Sequence, residues 1–527
     1  MTFALSICLN TVMFKYLCVS FLLILSCCSK TSTAPQKRPL HLNLTQDPST
    51  FDPRKASDFS SATVNFFLFE GLTRSTPENI YEPALAEKIE VHNKGLTYIF
   101  KLKKAYWSNH QQITAYDFER SWKELLDPKF PCPNAHMFYP IVGAEEAKKG
   151  VGSIDKVGIR AMDASTLRVD LHSVTPYFLE LTAFCTFFPY NEDRLGKPVF
   201  SGPYQLKEYR TKDHLDIEKN PSYWGKERIR LDTIRFYLID EGTTALEMFE
   251  RGEIDLLGTP FTPLPIDSIP SLKKHHNLNS TDAIGTSLVS FNTVSKIFRH
   301  EKIRQAIILS IDRREIVENL TFLGEQVATS LLPPKIRGGN FEEYTWITDR
   351  QKARELLAEA LEDLDLKKQD IEPHLILSAS GNFTKIAQVI QEQIRQALDI
   401  HVVVEPLEMK IYLDRLYQHN YDMAGCLILA QFSDPLSYLE RFKYRSHLRN
   451  YPYFEDAEYI QLIDKSYKAA SGNERMRLLN EAERILIESG TLLPIYHFKN
   501  GFVVSNEVKN IKVFPQGTIC LEEVEIG

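Results

Sequence analysis

Residues 83–128 read P-A-L-A-E-K-I-E-V-H-N-K-G-L-T-Y-I-F-K-L-K-K-A-Y-W-S-N-H-Q-Q-I-T-A-Y-D-F-E-R-S-W-K-E-L-L-D-P. Asn93-Lys94-Gly95 is a turn signal between two strand-like runs. From Leu96 to Leu102 the apolar residues alternate, with Leu96, Tyr98, Phe100 and Leu102 on one face. Thr114 then precedes a helix whose third position is Asp117, a capping-box pattern. Phe118, Trp122 and Leu125 recur along it at helical spacing. Asp127-Pro128 closes it, because proline cannot continue the ladder. The stretch therefore predicts a hairpin followed by a capped amphipathic helix. Trp107, Tyr116, Phe118 and Trp122 read as its packing rather than as a ligand platform.

The same alternation of strand and helix continues outward. His41–Leu44 reads as a first strand and Val64–Leu72 as a core helix. Leu167–Leu171 reads as a strand, and Thr175-Pro176 opens a helix, where proline is tolerated. Gly202–Leu206 and His214–Glu218 bracket a turn, Asn220–Trp224 is an aromatic loop, and Thr233–Ile239 is a strand. Tyr223 and Trp224 either line a cleft or anchor their loop on the body. Thr243–Arg251 is a helix stopped by Gly252, and Ile254–Leu257 a strand. A proline-rich link at Pro260–Pro270 leads to a strand at Ser287–Asn292 and a helix around Ile303–Ile308. Asp312 with Glu315, and Thr348 with Gln351, form box patterns ahead of further helices. Leu375–Leu377 and His401–Val404 flank a helix at Thr384–Leu398. Asn473 starts a last long helix ended by Gly490, followed by strands at Leu493–Phe498 and Gly501–Val504. Interleaved strands and helices of this kind give an α/β chain.

At 527 residues the chain has room for about two to four domains. A hydrophobic share of 43% and a charged share of 25% are ordinary for a globular protein. The net charge of −7, with no basic block, gives no support for nucleic-acid binding. The N-terminus departs from this composition. Lys15, an apolar run from Leu17 to Leu25, and Ser26-Cys27-Cys28 before a polar, proline-containing tract spell a secretory signal of lipoprotein type. Cys27 is the expected lipidated residue and Cys28 its competitor; translation from Met13 would leave the signal intact. Outside the leader stand Cys132, Cys185, Cys426 and Cys520, with no C-x-x-C pair. Four cysteines allow three pairings, among which the sequence does not choose.

No catalytic constellation emerges. G-x-S-x-G, H-E-x-x-H, G-x-x-x-x-G-K-[ST] and G-x-G-x-x-G are all absent. His275-His276 are adjacent and point apart, as a surface loop rather than a metal pair. Asp363, Asp365 and Asp370 lack the glycine and terminal glutamate of a calcium loop. The reading is a protein that is not an enzyme, with no catalytic residues, no metal and no cofactor.

One set of motifs is more specific. Phe69-Glu70-Gly71-Leu72, Pro83-Ala84-Leu85-Ala86, Leu96–Leu102, Trp107-Ser108-Asn109 and Thr114–Phe118 appear in order. They are followed by Gly202-Pro203-Tyr204, Asn220–Trp224, Gly252–Asp255, Arg304-Gln305-Ala306 and Ile311-Asp312-Arg313. In this order they resemble the extracytoplasmic solute-binding proteins, family 5, that serve oligopeptide ABC transporters. The resemblance implies a two-lobed periplasmic-binding-protein fold (type II, class C) with an inserted third subdomain. Residues 1–39 would be signal and linker. Residues 40–57, 176–280 and 496–527 would form a discontinuous lobe I, 58–175 the inserted subdomain, and 281–495 lobe II. It also implies ligand contacts at Ser57, Phe59, Leu288, Val289, Gly425, Leu427, Ile428, Leu429 and Gln431.

The contact region departs from the family. The family's peptide binders hold the ligand α-amino group with an aspartate shortly before an acidic-proline pair. With Asp434-Pro435 as the register, that position is Gln431. A basic residue that meets the ligand carboxylate corresponds to Gly425, and a contacting glutamate to Ser57. Glutamine cannot neutralise an ammonium; Asp434 or Asp422 acting instead is the alternative. The resemblance thus implies a monomeric, lipid-anchored binding component in the periplasmic space of the cell envelope. It would capture extended peptides in a hinged cleft and pass them to a permease and ATPase complex. The alternatives are a cell-wall-derived peptide, metal chelate, sugar or other apolar solute on the same fold, or a surface interaction protein.

Overall fold

The computed structural model describes residues 38–76, 80–338, 347–379, 383–469, 471–514 and 518–527. In chain order the framework is β1 (Leu40–Leu44), α1 (Phe59–Leu68), β2 (Ala86–His92), β3 (Thr97–Leu102), α2 (Ala115–Leu125), β4 (Ile159–Asp163), β5 (Thr166–Asp170), β6 (Tyr204–Arg210), β7 (His214–Lys219) and β8 (Thr233–Leu238). It continues with β9 (Leu256–Gly258), β10 (Asn279–Phe291), α3 (Glu301–Ser310), α4 (Arg350–Leu364), β11 (His374–Ser378), α5 (Phe383–Leu398), β12 (Val403–Leu407), β13 (Met423–Leu429), α6 (Gly472–Glu488) and β14 (Leu492–Val504).

Three sheets organise these elements. The first has the order β1-β8-β7-β6, with β1 parallel to β8 and the rest antiparallel. The second, β2-β3-β5-β4, is wholly antiparallel. The third runs β9-β14-β10-β13-β11-β12, antiparallel as far as β13 and parallel beyond it. This is the two-lobed binding-protein architecture.

The hairpin and helix of residues 83–128 form as the pattern dictates. β2 and β3 pair from Ala86↔Leu102 to His92↔Thr97 around left-handed Asn93, Lys94 and Gly95. Tyr98, Phe100 and Leu102 are buried on one face. The Asp117 carboxylate accepts from Thr114 N–H at 2.8 Å and from Thr114 Oγ at 2.9 Å. Phe118 and Trp122 are fully buried, and the Trp122 indole meets Phe118, Phe138 and Phe187 edge-on. Its Nε1–H donates to Phe187 O at 2.8 Å, so the large ring is buried without an unpaired donor.

Two further motifs acquire a physical reason. Glu70 is buried, and Tyr223 OH donates to it at 2.8 Å while Trp224 Nε1–H donates to its other oxygen. Burial raises the Glu70 carboxyl pKa, opposed by these two donors, Arg74 and Lys103. Tyr223 and Trp224 therefore anchor their loop on the body. Gly202 lies so close to the chain that a Cβ there would sit 2.6 Å from Phe69 N.

Some boundaries differ from the sequence reading. α1 begins at Phe59 because Asp58 caps it, accepting from Ser61 N–H at 2.7 Å, and it ends at Leu68 rather than Leu72. Asp312 caps its helix through Arg314 and Glu315 N–H, yet its own N–H goes to Gln393 Oε1 at 2.9 Å, so the box is not closed by Glu315. Ahead of α4 the cap is Asp349, whose carboxylate accepts from Lys352 N–H at 2.9 Å; Thr348 instead donates its hydroxyl to Ile311 O at 2.8 Å. Ser471, not Asn473, caps α6.

β10 and β14 are the longest strands among the described residues, 13 residues each. They pair from Asn279↔Phe502 to Asp282↔Lys499, and again from Thr286↔His497 to Ser290↔Leu492. Between the two runs Ala283, Ile284 and Gly285 face only Phe498. Such a bulge breaks the ladder and bends the strand.

Candidate ligand site

β13 reads M-A-G-C-L-I-L and alternates as its sheet demands. Cys426 and Ile428 are buried, whereas Leu427 is 49% and Leu429 44% exposed. One edge pairs with β10 along the whole strand, from Met423↔Phe291 to Leu429↔Gly285. The other edge pairs with β11 only at Met423 and Ala424. Among the described residues no strand covers that edge from Gly425 to Leu429. A sheet edge with uncovered backbone groups can take an added strand, and two exposed leucines beside it supply apolar contact.

Gly425 stands against the Phe383 ring. A Cβ built on it would lie 2.1 Å from Phe383 Cε1, so any larger residue requires the ring to leave. Tyr412 OH donates to Gly425 O at 2.8 Å. This expected contact position is thus bare backbone under an aromatic ring.

The loop after β13 meets the other side of the molecule. Gln431 Nε2–H donates to Asn134 Oδ1 at 3.0 Å. Asn134 Nδ2–H in turn donates to Ala56 O at 3.2 Å. This orientation of the amide leaves Gln431 Oε1 to accept from His136 Nε2 at 3.0 Å, which makes the Nε2–H tautomer the one that fits. Next in the chain, Phe432 stacks on Tyr177 with ring centroids 4.2 Å apart and planes 11° apart. Ser433 Oγ donates to Glu180 at 2.9 Å. These three consecutive residues tie the loop after β13 to Asn134, His136, Tyr177 and Glu180.

Asp434 and Asp422, the two acids expected as alternatives at this loop, are both engaged elsewhere. Asp434 is buried and held by both terminal nitrogens of Arg475, at 2.7 and 2.8 Å. Asp422 accepts from Ser295 Oγ and from His374 N–H at the opposite end of β13, beside a polar cavity of about 400 Å³.

The nine expected contact residues separate into groups. Ser57 and Phe59 are exposed around the start of α1, and neither is bonded to Gln431; the nearby Ala56 carbonyl accepts from Asn134, the residue that accepts from Gln431. Gly425, Leu427, Ile428, Leu429 and Gln431 share β13 and its outgoing loop; the Ile428 side chain is buried, and its carbonyl accepts from Tyr438 OH at 3.3 Å. Leu288 and Val289 are placed in the core instead. β10 is paired on both edges there, Leu288 with Cys426 and Pro494, Val289 with Gly425 and Leu493, and both side chains are 1% exposed. Cys27 and Cys28 lie outside the described residues. Asn134, His136, Tyr177 and Phe383 are not among the residues expected from the sequence. His136 and Asn134 precede Gln431 by 295 and 297 positions, and no spacing rule reaches that far.

Cys132, Cys185, Cys426 and Cys520 are all unpaired. Burial pushes the Cys426 thiol up to about 11. Elsewhere Glu208, His214 and Asp216 come within ligand distance of one another, but Asp216 is held by Arg235 through two bonds of 2.7 Å, which places it in an ion pair. His275 ends a helix in the open, while His276 packs its ring on Phe249 at 5.4 Å, so the two serve different surroundings.

The model of the bacterial extracellular solute-binding proteins, family 5 (middle region), matches residues 81–450. The chain belongs to that family. The family is one of substrate-binding transport proteins, not enzymes. The oligopeptide-binding protein OppA of Bacillus subtilis (strain 168) is 34% identical over 517 residues, covering 93% of this chain and 95% of the relative. Haemophilus influenzae OppA, solved as a complex with RPPGFSPFR, superposes with a TM-score of 0.83 at 25% identity, covering 93% of this chain and 99% of that one. The murein tripeptide-binding protein MppA of Escherichia coli superposes with a TM-score of 0.84 at 25% identity and the same coverage. Among the described residues no helix is long and apolar enough to cross a membrane.

Proposed function

We propose that this chain is the ligand-capturing component of a peptide ABC importer. An extended peptide or peptide-like ligand adds as a strand to the β13 edge between Gly425 and Leu429, and the lobes close over it. The uncovered edge flanked by Leu427 and Leu429 carries this reading. Main-chain hydrogen bonds then supply affinity while leaving side-chain choice broad. Lobe I would comprise 40–57, 176–280 and 496–527, lobe II 281–495, and the inserted subdomain 58–175. β10 and β14 run through both borders between the lobes, and the bulge at Ala283–Gly285 against Phe498 supplies a place to bend. Cys27, or else Cys28, would carry the lipid that tethers the chain outside the cytoplasmic membrane. The closed form would then be presented as a monomer to a permease and ATPase complex.

A second reading, a modified or wall-derived peptide, is favoured by one observation. Gln431, at the position where the resemblance implies an aspartate for the α-amino group, is neutral and committed to Asn134 and His136. MppA, which binds a murein peptide by its name, is 26% identical over 497 residues. Isothermal titration with simple tri- to pentapeptides and a wall-derived tripeptide tests both. Saturable binding of any of them supports peptide capture, and binding of none of them removes it. Strong binding of every simple peptide with dependence on the free α-amino group would count against the second reading.

A further inference from the structure

β6 and β7 form a hairpin whose ladder is broken once. Leu206 pairs with Ile217 and Glu208 with Asp216, so Lys207 is an extra residue in β6. Such a bulge re-aims the side chains beyond it. Without it Lys207 would stand opposite Asp216; with it Glu208 does. Directly paired residues share a face, as do alternate residues of one strand. Glu208, Asp216 and His214 therefore lie on one face of the first sheet. On that face Arg235 of β8 stands opposite Asp216, and Arg210 opposite His214.

The three side chains converge. His214 Nε2 lies 3.8 Å from Glu208 Oε2. One ligand atom from each of Glu208, His214 and Asp216 falls within 4.8 Å of the others. His214 is 7% exposed, and its Nε2 is buried without a hydrogen-bond partner. A buried ring nitrogen left in this way is costly unless something fills the place in front of it. On the other side of the ring, Nδ1 lies 3.1 Å from Asp213 Oδ2. A carboxylate there favours the proton on Nδ1 and leaves the Nε2 lone pair for a metal, the arrangement that metal-bound imidazoles use. The two arginines do not take the carboxylates out of play. Arg210 Nε–H donates to Glu208 Oε1 at 2.7 Å, whereas Oε2 is the oxygen near His214. Arg235 holds both Asp216 oxygens, but each carboxylate oxygen keeps a second lone pair.

We propose that His214, Glu208 and Asp216 form a divalent transition-metal site of the zinc class on the first sheet. One imidazole nitrogen and two carboxylates, with no thiolate, suit such an ion. The imidazole sets it apart from a calcium or magnesium site, which takes oxygen ligands. Ligand atoms around tetrahedral zinc stand about 3.3 Å apart, so half-exposed Glu208 closes its gap to His214 by swinging in about half an ångström. The ion would clamp β6 to β7 just past the bulge, where their ladder is interrupted. The site is independent of peptide capture, because these strands belong to a different sheet from the β13 edge. The spacing of the three residues along the chain does not mark it, since Glu208 joins only through the bulge.

The test is calorimetric titration of the untagged, chelator-stripped full chain in detergent with zinc chloride, and with magnesium chloride as the oxygen-preferring control. Wild type should take up one zinc ion more than His214→Gln, and magnesium should not compete for it. Glu208→Gln, at a half-exposed position that leaves the core intact, should weaken this zinc about tenfold or more. His275→Gln, which removes an exposed histidine elsewhere, should change nothing. Saturating zinc should raise the melting temperature of wild type, and raise it less in Glu208→Gln. No zinc uptake by wild type overturns the site. Unchanged uptake and affinity in folded His214→Gln, or in folded Glu208→Gln, also overturns it, and the three residues are then an ordinary ion-pair cluster.

Discussion

Gln431 donates to Asn134 at 3.0 Å while accepting from His136 at the same distance, so a single amide closes the loop after β13 onto residues 134–136. Both bonds join segments far apart in sequence. Neutral hydrogen bonds contribute about 0.5–1.5 kcal/mol each. Gln431→Ala should therefore weaken ligand binding by about 1–2 kcal/mol, roughly fivefold to thirtyfold, with little change in melting temperature. Titration calorimetry beside differential scanning fluorimetry checks both halves.

Asp434 and Arg475 form the buried pair behind that loop, with side chains 8% and 10% exposed. Removing one partner leaves a buried charge alone. Arg475→Leu should destabilise the protein by about 3–5 kcal/mol, whereas Asp434→Asn with Arg475→Met should cost far less. Urea unfolding of the single and double variants measures the difference.

Stability should fall on acidification through His497. Its Nδ1–H donates to Thr286 Oγ at 3.0 Å, because that hydroxyl already donates to Leu331 O at 2.7 Å. Burial first, and then Arg337, depress the imidazole from 6.5 to about 4. Below pH 6.5 the unfolded chain takes a proton that the folded chain refuses. The stability contributed by neutral His497 is thus complete above 6.5 and lost as pH falls toward 4, by about 3 kcal/mol in all. The melting temperature should drop between pH 7 and pH 4.5, and by less in His497→Gln.

Gly425→Ala should be disproportionately harmful for a methyl group. The Cβ has to displace the Phe383 ring, an overpacking cost of about 1–3 kcal/mol. Pairing it with Phe383→Ala should relieve that clash, so the double variant should lose less than the sum of the two single losses. Thermal unfolding of the three variants tests this.

Much of the architecture was legible in local signals. Alternation at Tyr98, Phe100 and Leu102 and the Thr114–Asp117 box each depend on residues a few positions apart, and both form. Box reading failed at Asp312 and Thr348, where Gln393 and Ile311 O compete for the same polar groups. The edge at Gly425–Leu429 was reachable through the family resemblance, but the burial of Leu288 and Val289 was not, since it depends on strands arriving at both edges of β10. His136, Asn134 and Tyr177 were invisible because their partners lie far along the chain.

Backbone hydrogen exchange, followed by mass spectrometry with and without saturating peptide mixture, tests strand addition most directly. The account predicts new protection at residues 425–429, on the uncovered β13 edge, together with slower exchange around 283–285. Ligand binding that leaves the amides of 425–429 exchanging as before would contradict it.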